Sequence, residues 1–429
     1  MWSSSEINSN NAWNVNYNGN CNNDNVNNGN GVCPVLEIVI GLNRDYRKGN
    51  PYIFDTMDTL KLVNEYKFDD ILGAFLDCRN GKRNSRAYQS FNINREERLY
   101  EMLDEINNNR YKIGRYTVFP VEYPKVREIW APTFRDRILH HLLYNGIHQY
   151  LEKRFIADTY SCIVGRGTLK ASQRLEQFCR SITQNWKIDA YYLQMDVANF
   201  FVSIDKQILW EQIVRYLGND TLTTDLIYKN LMYDPTLNPY YKNKDRLHIV
   251  EPHKSLFNAP KGVGLPIGVL TSQFFSNVYM TDADMFAKHV LKARYYVRYV
   301  DDIVVLSRDA RELENIYELY NQFLKNHLNI HIHPNKVSIG KITDSIDFVG
   351  RIINPFFCSA RARIVNKSYE SLSNLLRTPD RHAFDSTQSY IGMLKHTDTY
   401  SLRKDIISKA TRLDIVDRHD YEKLVWLSD

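Results

Sequence analysis

Two aspartates stand side by side between two runs of apolar residues, Tyr295-Tyr296-Val297-Arg298-Tyr299-Val300-Asp301-Asp302-Ile303-Val304-Val305-Leu306. β-Branched and aromatic residues at this density favour extended chain. The segment reads as two short strands, 295–300 and 303–306, with Asp301-Asp302 at the turn between them. Strands this apolar are buried on at least one face. Adjacent carboxylates there are costly, because desolvation and mutual repulsion both oppose ionisation. A divalent cation removes that cost, and Mg2+ suits the place: it takes carboxylate oxygens together with water and substrate phosphates. An exposed turn also tolerates Asp-Asp, but Tyr-Val before the pair and Ile-Val-Val after it argue against exposure.

Such a metal site needs a further carboxylate from elsewhere. Asp196 ends a strand candidate over 189–195 and is followed by Val197-Ala198-Asn199-Phe200-Phe201. A strand-end aspartate can lie beside a hairpin turn of the same sheet, although only the fold can bring Asp196 to Asp301. Three carboxylates around two divalent ions would fit two-metal phosphoryl or nucleotidyl transfer.

Helical and strand-like segments alternate along the rest of the chain. Residues 57–155 read as mostly helical, interrupted by strands at 116–121 and 126–130 with Glu122-Tyr123-Pro124-Lys125 between them. Ile138, Leu139, Leu142, Leu143 and Ile147 recur at helical spacing within 134–155. A helix is expected near 205–216, a Gly/Pro turn entering an apolar helix over 266–282, strands at 330–333 and 345–350, and helix from about 355 to the end. The class is α+β, a sheet covered by helices on one side. With 43% hydrophobic and 24% charged residues the chain can bury a core, which excludes global disorder. Residues 1–34 differ: they are rich in Asn and Gly, which favour turns. They read as a loose tail, with an ordered extended segment through Trp13, Val15 and Tyr17 as the alternative. Six cysteines without a CxxC pair read as reduced thiols. No apolar run reaches the roughly 18 residues of a membrane span, and no secretory signal is legible. A cytoplasmic protein without membrane partners is expected. The net charge of +5 permits nucleic-acid binding without demonstrating it.

Tyr299-Val300-Asp301-Asp302 resembles the YxDD motif of reverse transcriptases, and Asp196-Val197-Ala198-Asn199-Phe200-Phe201 resembles their first palm motif. Further blocks follow the family's order over roughly residues 60–415. Arg127, Ile129, Pro132 and Arg137 resemble the fingers pattern, and Gly165-Arg166-Gly167-Thr168-Leu169-Lys170-Ala171 the next fingers block. Leu265-Pro266-Ile267-Gly268-Val269-Leu270-Thr271-Ser272-Gln273 resembles the loop and helix that support the templating base. Asn335-Lys336 matches the basic residue after the hairpin, and Ile346-Asp347-Phe348-Val349-Gly350 resembles the primer-grip strand.

The resemblance implies a right-hand polymerase fold with an Asn-rich N-terminal extension. Its parts would be the extension over 1–34, N-terminal helices and fingers over 35–188, palm over 189–355 with an insertion at about 206–262, and a helical thumb over 356–429. It implies Asp196, Asp301 and Asp302 as catalytic residues, and Asp196, Val197, Asp301 and Asp302 as the positions of two Mg2+ ions, for which Mn2+ can substitute. Arg127 would hold triphosphate oxygens, with Lys125 as a nearby point charge, and Lys336 would protonate the leaving pyrophosphate. Phe201 would be the steric gate against the ribose 2′-hydroxyl, with Phe200 pointing the other way on an extended segment as core. Ile267 and Gly268 would face the incoming nucleotide, and Gln273, Tyr299, Phe348 and Gly350 the template and primer.

The IGxxTSQ form of the loop, Ile267-Gly268 with Thr271-Ser272-Gln273, resembles the reverse transcriptases of bacterial diversity-generating retroelements, to which antiphage-defence enzymes are related. The implied partners are a structured template RNA, cDNA, dNTPs and an accessory protein or an oligomeric copy. Two alternatives stand beside RNA-directed DNA synthesis: template-independent or protein-primed synthesis on the same site, and a catalytically silent RNA-binding scaffold. The intact aspartates argue against the scaffold. After Gly350 no carboxylate cluster of an RNase H domain and no His/Cys-rich endonuclease finger follows, so neither activity is expected.

Overall fold

The apolar hairpin forms one side of a four-stranded sheet. The computed structural model describes residues 62–123 and 125–427. The Asn-rich segment, with its alternative readings, lies outside the described residues. Three helices lead in, α1 (Phe68–Cys78), α2 (Arg86–Ile93) and α3 (Arg95–Asn107). An antiparallel hairpin follows, β1 (Thr117–Val121) and β2 (Arg127–Ala131), in register from Thr117↔Ala131 to Val121↔Arg127. Helix α4 (Phe134–Glu152) has Thr133 as its N-cap, whose side chain accepts from the Asp136 N–H. Its buried face includes Ile138, Leu139, Leu142, Leu143 and Ile147, the residues whose spacing predicts it.

Helix α5 (Thr168–Ile182) precedes β3 (Tyr191–Val197). Helices α6 (Lys206–Leu217) and α7 (Leu222–Met232) and the short strand β4 (Tyr240–Tyr241) come next. Then come α8 (Leu270–Met285), β5 (Tyr295–Tyr299), β6 (Asp302–Ser307), α9 (Ala310–Leu328) and β7 (Ile332–Lys341). The central sheet has the order β5-β6-β3-β7 with antiparallel neighbours, and α5 and α9 pack on it. β4 joins the first hairpin as a parallel edge strand, in the order β2-β1-β4. A small sheet of β8 (Ile346–Phe348), β9 (Arg351–Ile353) and β10 (Cys358–Ala360) leads into α10 (Ala362–Arg377), α11 (Arg381–Leu394) and α12 (Tyr400–Ala410). These last helices have a core of their own around Leu375, Ile391, Leu394, Ile406 and Ile407.

Two expectations need correction. The strand expected over 330–333 runs on to Lys341, past Pro334. β7 is an edge strand, and its register against β3 shifts between Met195 and Val197, so a residue without an N–H is accommodated. The chain after 355 is not helical to its end. β10 begins at Cys358, and the chain finishes in a hairpin of β11 (Val416–His419) and β12 (Lys423–Trp426). Strands this short carry little periodicity of their own. This hairpin is held by tertiary packing, with Trp426 edge-on to Phe384 of α11 at 5.2 Å. No helix among the described residues is long and apolar enough to cross a membrane.

Candidate active site

The turn between β5 and β6 is strained and clamped. Val300 has φ 58°, left-handed backbone that a β-branched residue rarely adopts and that costs about 1–3 kcal/mol. Both of its main-chain polar groups are captured. The Val300 N–H donates to Ser161 Oγ (3.1 Å), and the Val300 carbonyl accepts from Arg298 Nη1 (2.9 Å). Arg298 is completely buried and forms a two-point pair with Asp284 of α8, Nε to Oδ1 at 2.7 Å and Nη2 to Oδ2 at 2.6 Å. Asn277, one helical face along, accepts from Arg298 Nη1 (3.1 Å) and from Ser161 Oγ (3.0 Å) and donates to the Ser161 carbonyl (2.7 Å). Tyr296 and Thr159 hydroxyls donate to the remaining positions of Asp284. Sequence reasoning missed this network. Its signal was Arg298 itself, a cation inside an apolar strand, which must find a counter-charge when buried.

The turn delivers its carboxylates to the end of β3. Asp196 is paired in register with Asp302, and the Val197 N–H donates to the Asp301 carbonyl (3.2 Å). The three aspartates thus gather at one end of the sheet. Asp301 Oδ1 is sealed from solvent without a hydrogen-bond partner. Burial first, then the charges of Asp196 and Asp302, raise the Asp301 pKa well above the carboxylate range, against a smaller opposing effect of Arg127. Burial also pushes Asp302 up to about 7, opposed by a hydrogen bond from Gln194 Nε2 to its Oδ1 (3.2 Å). The same Gln194 amide donates to the Asp347 carbonyl (3.0 Å), and Asp347 Oδ1 accepts from Arg361 Nε at the start of α10 (2.6 Å).

Cations face these carboxylates. Lys336 of β7 places Nζ 2.6 Å from Asp196 Oδ1. Arg127, the first residue of β2, has its pKa lowered by burial while Asp301 and Asp196 raise it. Lys125, in the link before β2, is lowered to about 8 by burial and by the neighbouring Lys336 and Arg127. Hairpin and sheet therefore bring Asp196, Asp301, Asp302, Lys125, Arg127 and Lys336 into one electrostatic site.

No three His, Cys, Asp or Glu side chains among the described residues close into a preformed metal cage. An Mg2+ site need not be one, because water and substrate phosphates complete its shell. The unpartnered Asp301 Oδ1 and the two raised carboxyls fit a divalent cation, whose charge would offset the repulsion.

The other expected residues divide. Phe200 and Phe201 do not lie on an extended segment. Asn199, at φ 48°, lies two residues past β3 and caps a single helical turn, Phe200–Ser203, with Phe200 buried and Phe201 half-buried. The Phe201 carbonyl accepts from the Leu265 N–H (2.7 Å), which sets this turn beside the 265–268 loop. That loop is tied to β2, because the Trp130 N–H donates to the Ile267 carbonyl (2.8 Å). Gly268, at φ 101°, has no room for a side chain: a Cβ would lie 3.0 Å from Ile129 Cγ2 and 3.2 Å from the Trp130 carbonyl oxygen. Gln273 is half-buried in the first turn of α8. Tyr299 and Phe348 are buried in the main core, and Gly350 (φ 91°) forms the β8–β9 turn with Val349. A ring–base contact is therefore not available at Phe348, whose side chain is wholly enclosed.

A family model described as reverse transcriptase (RNA-dependent DNA polymerase) matches residues 122–353, more than half of the chain. No curated protein matches the sequence. Among solved structures, telomerase from Candida albicans in complex with a TWJ fragment of telomeric RNA is similar at 11% identity, over 72% of this chain and 57% of that one, with a TM-score of 0.41. Apo telomerase from Candida tropicalis is similar at 13% identity, over 70% of this chain and 57% of that one, with a TM-score of 0.43. The chain thus spans little more than half the length of each.

Proposed function

Because the chain belongs to the reverse transcriptase family, we propose that it adds dNTPs to a primer on a structured bacterial RNA template, in a diversity-generating-like retroelement or an antiphage defence system. The observation that carries the chemistry is the gathering of Asp196, Asp301 and Asp302 opposite Arg127, Lys125 and Lys336. Asp196, Asp301 and Asp302, with the Val197 position beside them, would hold two Mg2+ ions, which when bound lower the pKa of the primer 3′-hydroxyl and clamp the triphosphate. Arg127 binds triphosphate oxygens through charge-assisted hydrogen bonds, and Lys125 adds a point charge whose pKa is lowered by burial first and by its cationic neighbours second. Lys336 exchanges its carboxylate partner for the leaving pyrophosphate and supplies a proton there. Phe201 closes the pocket where a 2′-hydroxyl would sit, and Ile267-Gly268 meets the nascent pair through shape alone.

In this reading residues 35–188 contain the fingers, 189–355 the palm and 356–429 the thumb. Gln273, Tyr299 and the Phe348–Gly350 turn lie along template and primer, the last through main chain. The IGxxTSQ loop supports the placement among diversity-generating and defence enzymes. The test is Mg2+-dependent primer extension on RNA by the wild type and by Asp301→Ala and Asp196→Ala. Loss of incorporation with the fold retained is expected, and incorporation near the wild-type rate by either variant rejects the site. Sequencing RNA and cDNA that co-purify with the protein identifies the template.

A further inference from the structure

The stretch between α7 and α8 builds an exposed aromatic surface that none of these roles uses. Its base is buried and rigid. Glu128 of β2 accepts from Trp130 Nε1 (2.8 Å), Ser255 Oγ (2.5 Å) and the Leu256 N–H (2.9 Å), fixing the turn around 255–258 to the hairpin. Phe257 rests on Trp130, with centroids 5.1 Å apart, and Tyr241 lies parallel to Phe257 at 6.2 Å and 9°. Tyr240, next to it on β4, carries the Arg115 guanidinium 3.8 Å from its ring centroid. The carbonyls of Asn238 and Pro239 hold that guanidinium in place at 2.9 and 3.2 Å. Lys244 Nζ lies 4.8 Å from the Tyr241 ring, and Lys242 Nζ 5.7 Å from the Phe119 ring.

Tyr240, Tyr241 and Phe257 remain 53%, 45% and 37% exposed, so their rings are presented to solvent rather than used as core. Cations held against aromatic rings at a sheet edge match a polyanion with flat bases. Bases stack on the rings with little regard to sequence, and the cations meet the phosphates. Within 238–250, Lys242, Lys244 and Arg246 stand against Asp245 alone, and Arg246 is paired with Glu122. The surface also adjoins the 265–268 loop. Trp130, on which Phe257 rests, gives its main-chain N–H to the Ile267 carbonyl.

We propose that this strand edge takes unpaired RNA, the stretch of template waiting to be copied, stacking bases on Tyr241 and Phe257 of one face and on Tyr240 of the other, with Arg115, Lys242 and Lys244 on its phosphates. The proposal rests on the polymerase reading above. The probes are a labelled RNA hairpin with a blunt stem and the same hairpin with an unpaired 5′ extension of about ten nucleotides, within the usual span of a single-strand site. Binding to the full chain is followed by fluorescence anisotropy. The extension should tighten binding by the wild type. Tyr240→Ala with Tyr241→Ala should weaken binding of the extended probe at least about tenfold and leave the blunt probe unchanged. Tyr240→Phe with Tyr241→Phe should restore it, because stacking needs the ring and not the hydroxyl. Should the alanine variant fold poorly, Lys242→Glu with Lys244→Glu should flatten the salt dependence by about two phosphate contacts.

Wild-type affinity of the alanine variant for the extended probe overturns the stacking edge, as does equal weakening on both probes. Incorporation of one nucleotide on a template without further extension separates the two readings. A wild type that incorporates nothing on any RNA rejects the polymerase reading. Normal single-nucleotide incorporation by the alanine variant, without any loss of affinity for the extended probe, rejects only the stacking edge.

Discussion

Replacing Arg298 by methionine tests whether the buried network aims the Asp301-Asp302 turn. The Arg298–Asp284 pair is 0% and 1% exposed, so removing the cation strands a carboxylate with no access to water. Breaking a buried pair in this way costs about 3–5 kcal/mol, a large part of the 5–15 kcal/mol that stabilises a typical domain. The Val300 carbonyl and Asn277 Oδ1 lose a donor at the same time. Val300 then has less to hold it at φ 58°, where the backbone stores about 1–3 kcal/mol. Relaxation of that turn moves Asp301. A displacement of about 1 Å at a reacting centre can cost about a hundredfold in rate. Arg298→Met should therefore lower the melting temperature by several degrees and slow single-turnover incorporation about a hundredfold at saturating Mg2+. Adding Asp284→Leu removes the stranded carboxylate and should recover part of the stability, although the Tyr296 and Thr159 hydroxyls lose their acceptor. The rate should stay low, because Val300 still lacks its donor. A single variant with wild-type melting and wild-type rate would show the network to be dispensable. A double variant with wild-type rate would mean that something other than Arg298 aims Asp301.

Three further outcomes are expected. Phe201→Ala should admit ribonucleotides, measured as the ratio of dNTP to rNTP incorporation, and an unchanged ratio would return Phe201 to the core. Ile267→Gln should alter misincorporation, most visibly opposite template adenines, by a few-fold to about a hundredfold, the range of shape-based discrimination; deep sequencing of cDNA with an identical error spectrum would refute the fidelity role. Asp302, held at about 7 by burial, keeps its proton to higher pH in the folded chain than in the unfolded one. This contribution to stability is complete below the ordinary carboxylate range near 4 and is lost as pH rises through about 7. Without divalent ions the melting temperature should fall between about pH 4 and 7. Mg2+ needs the ionised carboxyl and should raise it more at pH 8 than at pH 6, so equal Mg2+ shifts at both would contradict the assignment.

The aspartate-bearing end of the sheet was legible because its signal is local. Apolar residues on both sides of Asp301-Asp302 announce a buried hairpin, and Asp196 follows a strand of its own. The helical face of α4 was legible for the same reason. Asp284, Asn277 and Ser161 were not, because nothing in their neighbours says that Arg298 lies against them. The turn at Phe200–Ser203 depends on the left-handed Asn199, a state that a single asparagine permits without requiring. The continuation of the 330–333 strand through Pro334 was not legible, because edge position and a shifted register belong to the sheet and not to the residue. Tyr240 and Tyr241 look like ordinary aromatic residues until Arg115, distant in the chain, is seen to lie on one of them.

One carboxylate of the proposed metal site is also a mechanical end-point. From Asp302 the side chain of Gln194 reaches the Asp347 main chain, and the Asp347 carboxylate grips Arg361, the residue that opens α10. Two hydrogen bonds and one ion pair thus span the distance from the reaction site to the root of a helical bundle that has its own core. A bundle packed separately can tilt as a body, and this strut is where such a tilt loads the reaction site. If the bundle is the proposed thumb, grip on the product and readiness for the next addition would share one linkage, and lengthening the strut at Gln194 would slacken both together.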